Sequence, residues 1–169
     1  MPLREDFIHF HARIALSNAG WYLLAGEYPN GSDDELPTLR ILDPALARDR
    51  SPEHRRHAFN KLVPDLVAVR AETVAVIEMK PTYDAGDEAK LVYIRDHRLE
   101  DFNRALTLLL PDRGFHKAAS DYRFLPVLAM SDASRINRRP DFSYIFVSPD
   151  GSAVLDLNEN PIAPGWEEP

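Results

Sequence analysis

Leu3, Phe7, Phe10 and Ile14 recur at helical spacing over residues 3–18, and further apolar residues around the cylinder predict a well-buried helix that Asn18-Ala19-Gly20 ends. The period then shortens. "WYLLAGEY" (21–28) reads as a strand, "PNGSDDELP" as a turn-rich loop, and "TLRIL" (38–42) as a second strand candidate. A polar stretch with a candidate short helix at 51–60 leads into a hairpin at 63–80 built from Val, Leu, Ile and Ala. Helix-start signals in "TYDAGDEAK" open a long helix over roughly 87–110, ended by Pro111. Its core face carries Leu91, Leu99, Phe102, Leu106 and Leu109. Strands follow at 123–130 and 142–148, with a third candidate at 152–157 after Pro149-Asp150-Gly151. The order helix, strand, hairpin, helix, strand, strand predicts an α/β fold with a central mixed sheet flanked by helices.

At 169 residues the chain suits one domain, expected over 1–157, with a Pro-rich tail at 158–169. There are no cysteines, which removes disulfides and thiolate metal sites and suits a reducing compartment. The N-terminal stretch has charges throughout, and no run approaches the ~18 apolar residues of a membrane span. The expectation is a cytoplasmic protein with no membrane partner. Net charge is −7, so the chain as a whole lacks the basic signature of a nucleic-acid binder. Local patches decide phosphate contact, however, and two exist. Arg48, Arg50, Arg55, Arg56 and Lys61 cluster with His54 and His57 before the hairpin, and Arg135, Arg138 and Arg139 cluster in a loop.

The hairpin carries charges that its apolar strands do not explain. With its turn centred on Ala71-Glu72, Arg70 pairs with Thr73, and the same register sets Asp65 opposite Glu78. Directly opposed residues share a face with Cβ atoms about 5 Å apart. Two carboxylates there repel, so a positive group should sit between them. Lys80 is one candidate and a divalent cation the other; Mg²⁺ is a hard ion that takes one or two carboxylates and fills its shell with water and phosphate oxygens.

Pro64-Asp65 followed by Glu78-Met79-Lys80 after a twelve-residue spacer resembles the PD-(D/E)xK motif of restriction-endonuclease-like nucleases. That superfamily includes type II restriction enzymes, Holliday-junction resolvases and transposon end-cleaving nucleases. Of four Pro-Asp pairs in the chain, only this one is followed by an acidic-x-Lys match that ends a β-branched strand. The resemblance implies a restriction-endonuclease-like fold and a metal-dependent endonuclease acting on DNA, with 5′-phosphate and 3′-hydroxyl products; RNA stays open as a substrate. It implies Asp65, Glu78 and Lys80 as catalytic residues. Asp65 and Glu78 would ligate Mg²⁺, or Mn²⁺ in its place, with the backbone carbonyl of Met79, and Lys80 would orient or deprotonate the attacking water. The alternative is a non-catalytic member of the fold that binds DNA or protein within a larger nuclease assembly, as a homodimer or beside a partner subunit.

Other residues have two readings. The family often adds a first-helix carboxylate, for which Glu5 and Asp6 are candidates with Glu27 of the following strand as a third, although Glu5 reads better as an N-terminal charge favourable to the helix dipole. Its face mixes Ile8, Ala12 and Leu16. Glu88 and Arg95 fall on the core face of the long helix, either as a packed ion pair or with Arg95 near a phosphate. Arg55, Arg56, Lys61, Arg95, Arg138 and Arg139 are the candidate nucleic-acid contacts. His54 and His57 are spaced as helical ligands without evident acidic partners, and His9 and His11 point to different helix faces, a poor ligand pair.

Overall fold

Strands apolar on both faces need cover on both faces, and the hairpin has it. The computed structural model describes residues 2–29, 35–43 and 61–158, with the backbone alone at Lys61. The tail beyond 158, the candidate helix at 51–60 and the residues Arg48, Arg50, His54, Arg55, Arg56 and His57 lie outside them. The elements are α1 (Glu5–Asn18), β1 (Tyr22–Gly26), β2 (Ile41–Leu42), β3 (Lys61–Leu62), β4 (Leu66–Arg70), β5 (Thr73–Met79), α2 (Ala85–His97), α3 (Leu99–Leu109), β6 (Arg123–Ser131), β7 (Ser143–Val147) and β8 (Ala153–Asp156). Six strands form one mixed sheet in the order β1-β4-β5-β6-β7-β8, with β5–β6 and β6–β7 parallel and the other pairs antiparallel. β2 and β3 make a separate two-stranded ribbon, so "TLRIL" contributes only its last two residues to a strand. No helix among the described residues is long and apolar enough to cross a membrane.

The sheet divides the interior in two. On one face α1 packs Ile8, Ala12 and Leu16 onto Leu66, Ala68, Ala75, Ile77 and Met79. On the other, Leu91 and Ile94 of α2 and Phe102 and Leu106 of α3 cover Val67, Val69, Val74 and Val76. Alternation along β4 and β5 thus feeds both cores, and Asp65 and Glu78 share parity with the α2 face.

Two expectations are corrected. The buried stripe of α1 is Ile8, Ala12 and Leu16, whereas Phe10 and Ile14 are exposed at 53% and 41%. The apolar positions of this helix are compatible with more than one rotation, and the sheet selects the one that seats small Ala12 against it. A Schellman closure ends α1: Gly20, at φ 85°, donates to the Ser17 carbonyl and Trp21 to that of Leu16. The expected long helix is two helices meeting at Arg98, whose φ of −131° leaves the helical region. No Gly or Pro marks this break. The Arg98 guanidinium instead engages Tyr93 Oη at 3.1 Å and the buried Asp43 at 3.2 Å. Ahead of the break Ile94 joins Leu91 in the core, and past it the face rotates so that Leu99 is exposed.

Asp84 caps α2, its carboxylate accepting from the Gly86 and Asp87 amides. Asp84→Ala should lower the unfolding free energy by about 1 kcal/mol, read as a lower urea midpoint at unchanged slope.

Candidate active site

The hairpin register is the expected one. Arg70 pairs with Thr73 and Leu66 with Ile77, where the ladder ends, and the same register extended by one residue sets Asp65 opposite Glu78. Asp65 stands just before β4, so its side chain is released from the ladder and its Oδ2 accepts the Met79 amide at 2.8 Å. Met79 is thereby tied to the site through its backbone. The N-terminal turn of α1, the end of β5 and the first turns of α2 all converge here.

Glu78 is 3% exposed, and the positive group beside it is one the hairpin itself does not supply. Lys90 of α2 places Nζ 2.7 Å from Glu78 Oε1, off the direction of a well-formed hydrogen bond, and donates to the Val63 carbonyl at 2.7 Å. Lys80 turns toward α1, where Nζ donates to Glu5 Oε1 at 3.2 Å. Glu5 reaches it because residues 5, 8, 12 and 16 form the sheet-facing stripe. Asp6 instead pairs with Arg4.

Burial dominates the electrostatics. It pushes Glu78 up to about 8, with the Asp65 charge adding to the shift and Lys90 opposing it. Asp65 is pushed up to about 6 by burial, against the Met79 amide and the Lys90 charge. Burial lowers the Lys80 ammonium, but its bond to Glu5 and the charges of Glu5, Asp87 and Asp65 outweigh that and raise it overall. Lys80 therefore stays protonated at neutral pH and is a donor and a charge, not a base. Asp87, in the first turn of α2, is raised by burial and by Asp84 and adds a third carboxylate to the field.

His9, a poor ligand partner for His11 in the sequence, stands inside this cluster. It is fully buried, with Nε2 3.9 Å from both Glu5 Oε1 and Asp65 Oδ2, and neither ring nitrogen makes a hydrogen bond. Burial, then Arg13 and Lys80, push it down to about 4. The i, i+4 relation to Glu5 was the available signal. His11 faces elsewhere, against Gly151. The His9 imidazole should stay neutral until pH approaches 4, observed as ring resonances that move only near that pH in an NMR titration.

The described candidate arginines are engaged with carboxylates. Arg139 bonds Glu88 at 3.0 Å and Asp141 at 2.8 Å, and Arg95 bonds Asp141 at 3.0 Å and Asp96 at 2.7 Å. Glu88 and Arg95 are thus linked through Arg139 and Asp141 rather than to each other. Arg138 pairs with Asp156 of β8. These bonds pin the β6–β7 connection to α2 and β8. An open cleft of about 630 Å³, lined by Arg4, Glu5, Asp6, Tyr28, Pro29 and Pro81, adjoins the Glu5–Lys80 pair.

A hard divalent cation fits the donor chemistry here: two carboxylates, with Glu78 Oε1 buried and short of a well-formed hydrogen bond. Among the described residues no group of three or more His, Asp or Glu is gathered to enclose a metal, so such an ion would complete its shell with water and substrate oxygens. No protein-family model matches the chain, and no curated protein or solved structure matches it.

Proposed function

We propose that the protein is a metal-dependent endonuclease of the restriction-endonuclease-like class, hydrolysing DNA phosphodiesters at Asp65, Glu78 and Lys80. The observation that carries the reading is a buried carboxylate, Glu78, opposed by a half-buried one, Asp65, at a strand end with a protonated lysine two residues after Glu78. Repelling charges held there work against stability, and such an arrangement points to a site. The order α1, antiparallel β1-β4-β5, α2 and then β6 parallel to β5 is compatible with the family core.

Asp65 and Glu78 would hold Mg²⁺, or Mn²⁺, together with the Met79 carbonyl. When bound, the ion supplies polarisation of the phosphodiester and a lowered pKa for bound water. Lys80, kept protonated by Glu5, orients the attacking water and offsets charge developing on the phosphate during in-line displacement. A 3′-hydroxyl leaves and a 5′-phosphate results.

One observation favours a second reading, a non-catalytic member that binds DNA or a partner protein: Lys90 already sets an ammonium 2.7 Å from Glu78, where a metal would otherwise be the nearest cation. Incubation with supercoiled, branched and single-stranded DNA, and with RNA, in Mg²⁺ or Mn²⁺ separates the two. Metal-dependent nicking abolished by a chelator supports the enzyme, and cleavage of RNA alone would move the substrate to RNA. Tight DNA or protein binding with no cleavage of any substrate gives the second reading.

A further inference from the structure

We infer that Lys90 occupies the place of a second cation, so that the Asp65–Glu78 pair takes one divalent ion per chain. The inference rests on the nuclease reading and concerns the metal count of its site. Lys90 is no loose surface lysine: its side chain is 25% exposed, and flanking Leu91 is fully buried in the core. Its ammonium lies 2.7 Å from Glu78 Oε1 at the end of β5 and 2.7 Å from the carbonyl of Val63, which precedes Pro64-Asp65. It therefore bridges the end of β5 and the segment that leads through Asp65 into β4.

The surrounding charges are already assigned. Lys80 and Glu5 satisfy each other at 3.2 Å. In the ionised forms that a metal binds, Asp65, Glu78 and the nearby Asp87 against Lys90 leave two negative charges, which one divalent ion cancels. A second ion about 3.5–4 Å from the first would enter a site with no surplus negative charge and would have to displace an ammonium from a buried carboxylate. His9, the remaining buried group beside Asp65, carries no negative charge to offer.

Calorimetric titration of the intact chain with Mn²⁺ at pH 8 tests this directly. Wild type should bind one ion, Lys90→Arg one, and Lys90→Gln two, the pair detectable as spin-coupled Mn²⁺ by EPR. Two ions on wild type, or one on a folded Lys90→Gln, would overturn the inference while leaving the nuclease reading intact. Wild-type stoichiometry decides the matter if Lys90→Gln fails to fold. No Mn²⁺ on wild type together with no cleavage removes the nuclease reading, and this inference with it.

Discussion

Lys80→Ala should reduce metal-dependent cleavage by roughly a hundredfold to ten-thousandfold, the span that a positioned transition-state donor supplies, while Mn²⁺ still binds. The reason is geometric. The Lys80 ammonium bonds Glu5, not Glu78, so its removal leaves both expected metal ligands and their Lys90 counter-charge in place. Asp65→Asn should lose a similar amount of activity with a different signature, because it removes a ligand and weakens Mn²⁺ binding. Single-turnover cleavage beside calorimetry distinguishes the two. Equal weakening of Mn²⁺ binding in both variants would move Lys80 from the chemistry to the ion. Glu5→Gln offers a graded control, since it keeps a hydrogen-bond acceptor for Lys80 but removes the charge that favours its protonated form.

The second large effect is on stability and its sign against pH. Glu78 and Asp65 have folded-state pKa values above their unfolded ones, near 8 against 4.5 and near 6 against 3.8. Between those limits the folded chain holds protons that the unfolded chain has lost, so stability falls as pH rises. Asp65 contributes its loss from about 4 to about 6, and Glu78 from about 4.5 to about 8. His9, lowered from 6.5 to about 4, works the other way and adds stability as pH rises through that interval. The net loss therefore runs at about one proton's worth from pH 4.5 to 6, nearly stops up to 6.5 where His9 offsets Glu78, and resumes at the same slope to about 8. It should amount to several kcal/mol at most, from the ~1.4 kcal/mol carried by each pKa unit. Denaturant titrations without metal from pH 5 to 8.5 should show a falling midpoint, and Glu78→Gln should flatten the decline above pH 6.5. Mn²⁺ binds the ionised carboxylates, so its stabilising effect should grow with pH. A flat profile in wild type would mean that Glu78 is ionised throughout, with Lys90 compensating its burial in full.

The hairpin was legible in the sequence because its determinants are local. A two-residue turn at Ala71-Glu72, where Ala71 adopts φ 51°, sets the register. Period-two alternation then places Asp65, Val67 and Val69 with Val74, Val76 and Glu78 on one face. Strand positions and the α/β class follow from the same short-range periodicities. The site's partners did not follow, because they come from helices whose rotation about their axes is set by packing. The residues that do contact the sheet, Ile8, Ala12 and Leu16, bring Glu5 and His9 to the strand end and leave Phe10 and Ile14 outside. The break at Arg98, with no Gly or Pro to announce it, depends on Asp43, more than fifty residues earlier in the chain. The two lysines illustrate the division most directly. Short-range order in the chain determined that opposed carboxylates at a strand end require a cation and put Lys80 within reach. Tertiary structure alone decided that Lys90 takes Glu78 and Lys80 takes Glu5. A buried charge binds whichever opposite charge the packed helices deliver, and that delivery is a property of the assembled core rather than of any stretch of sequence.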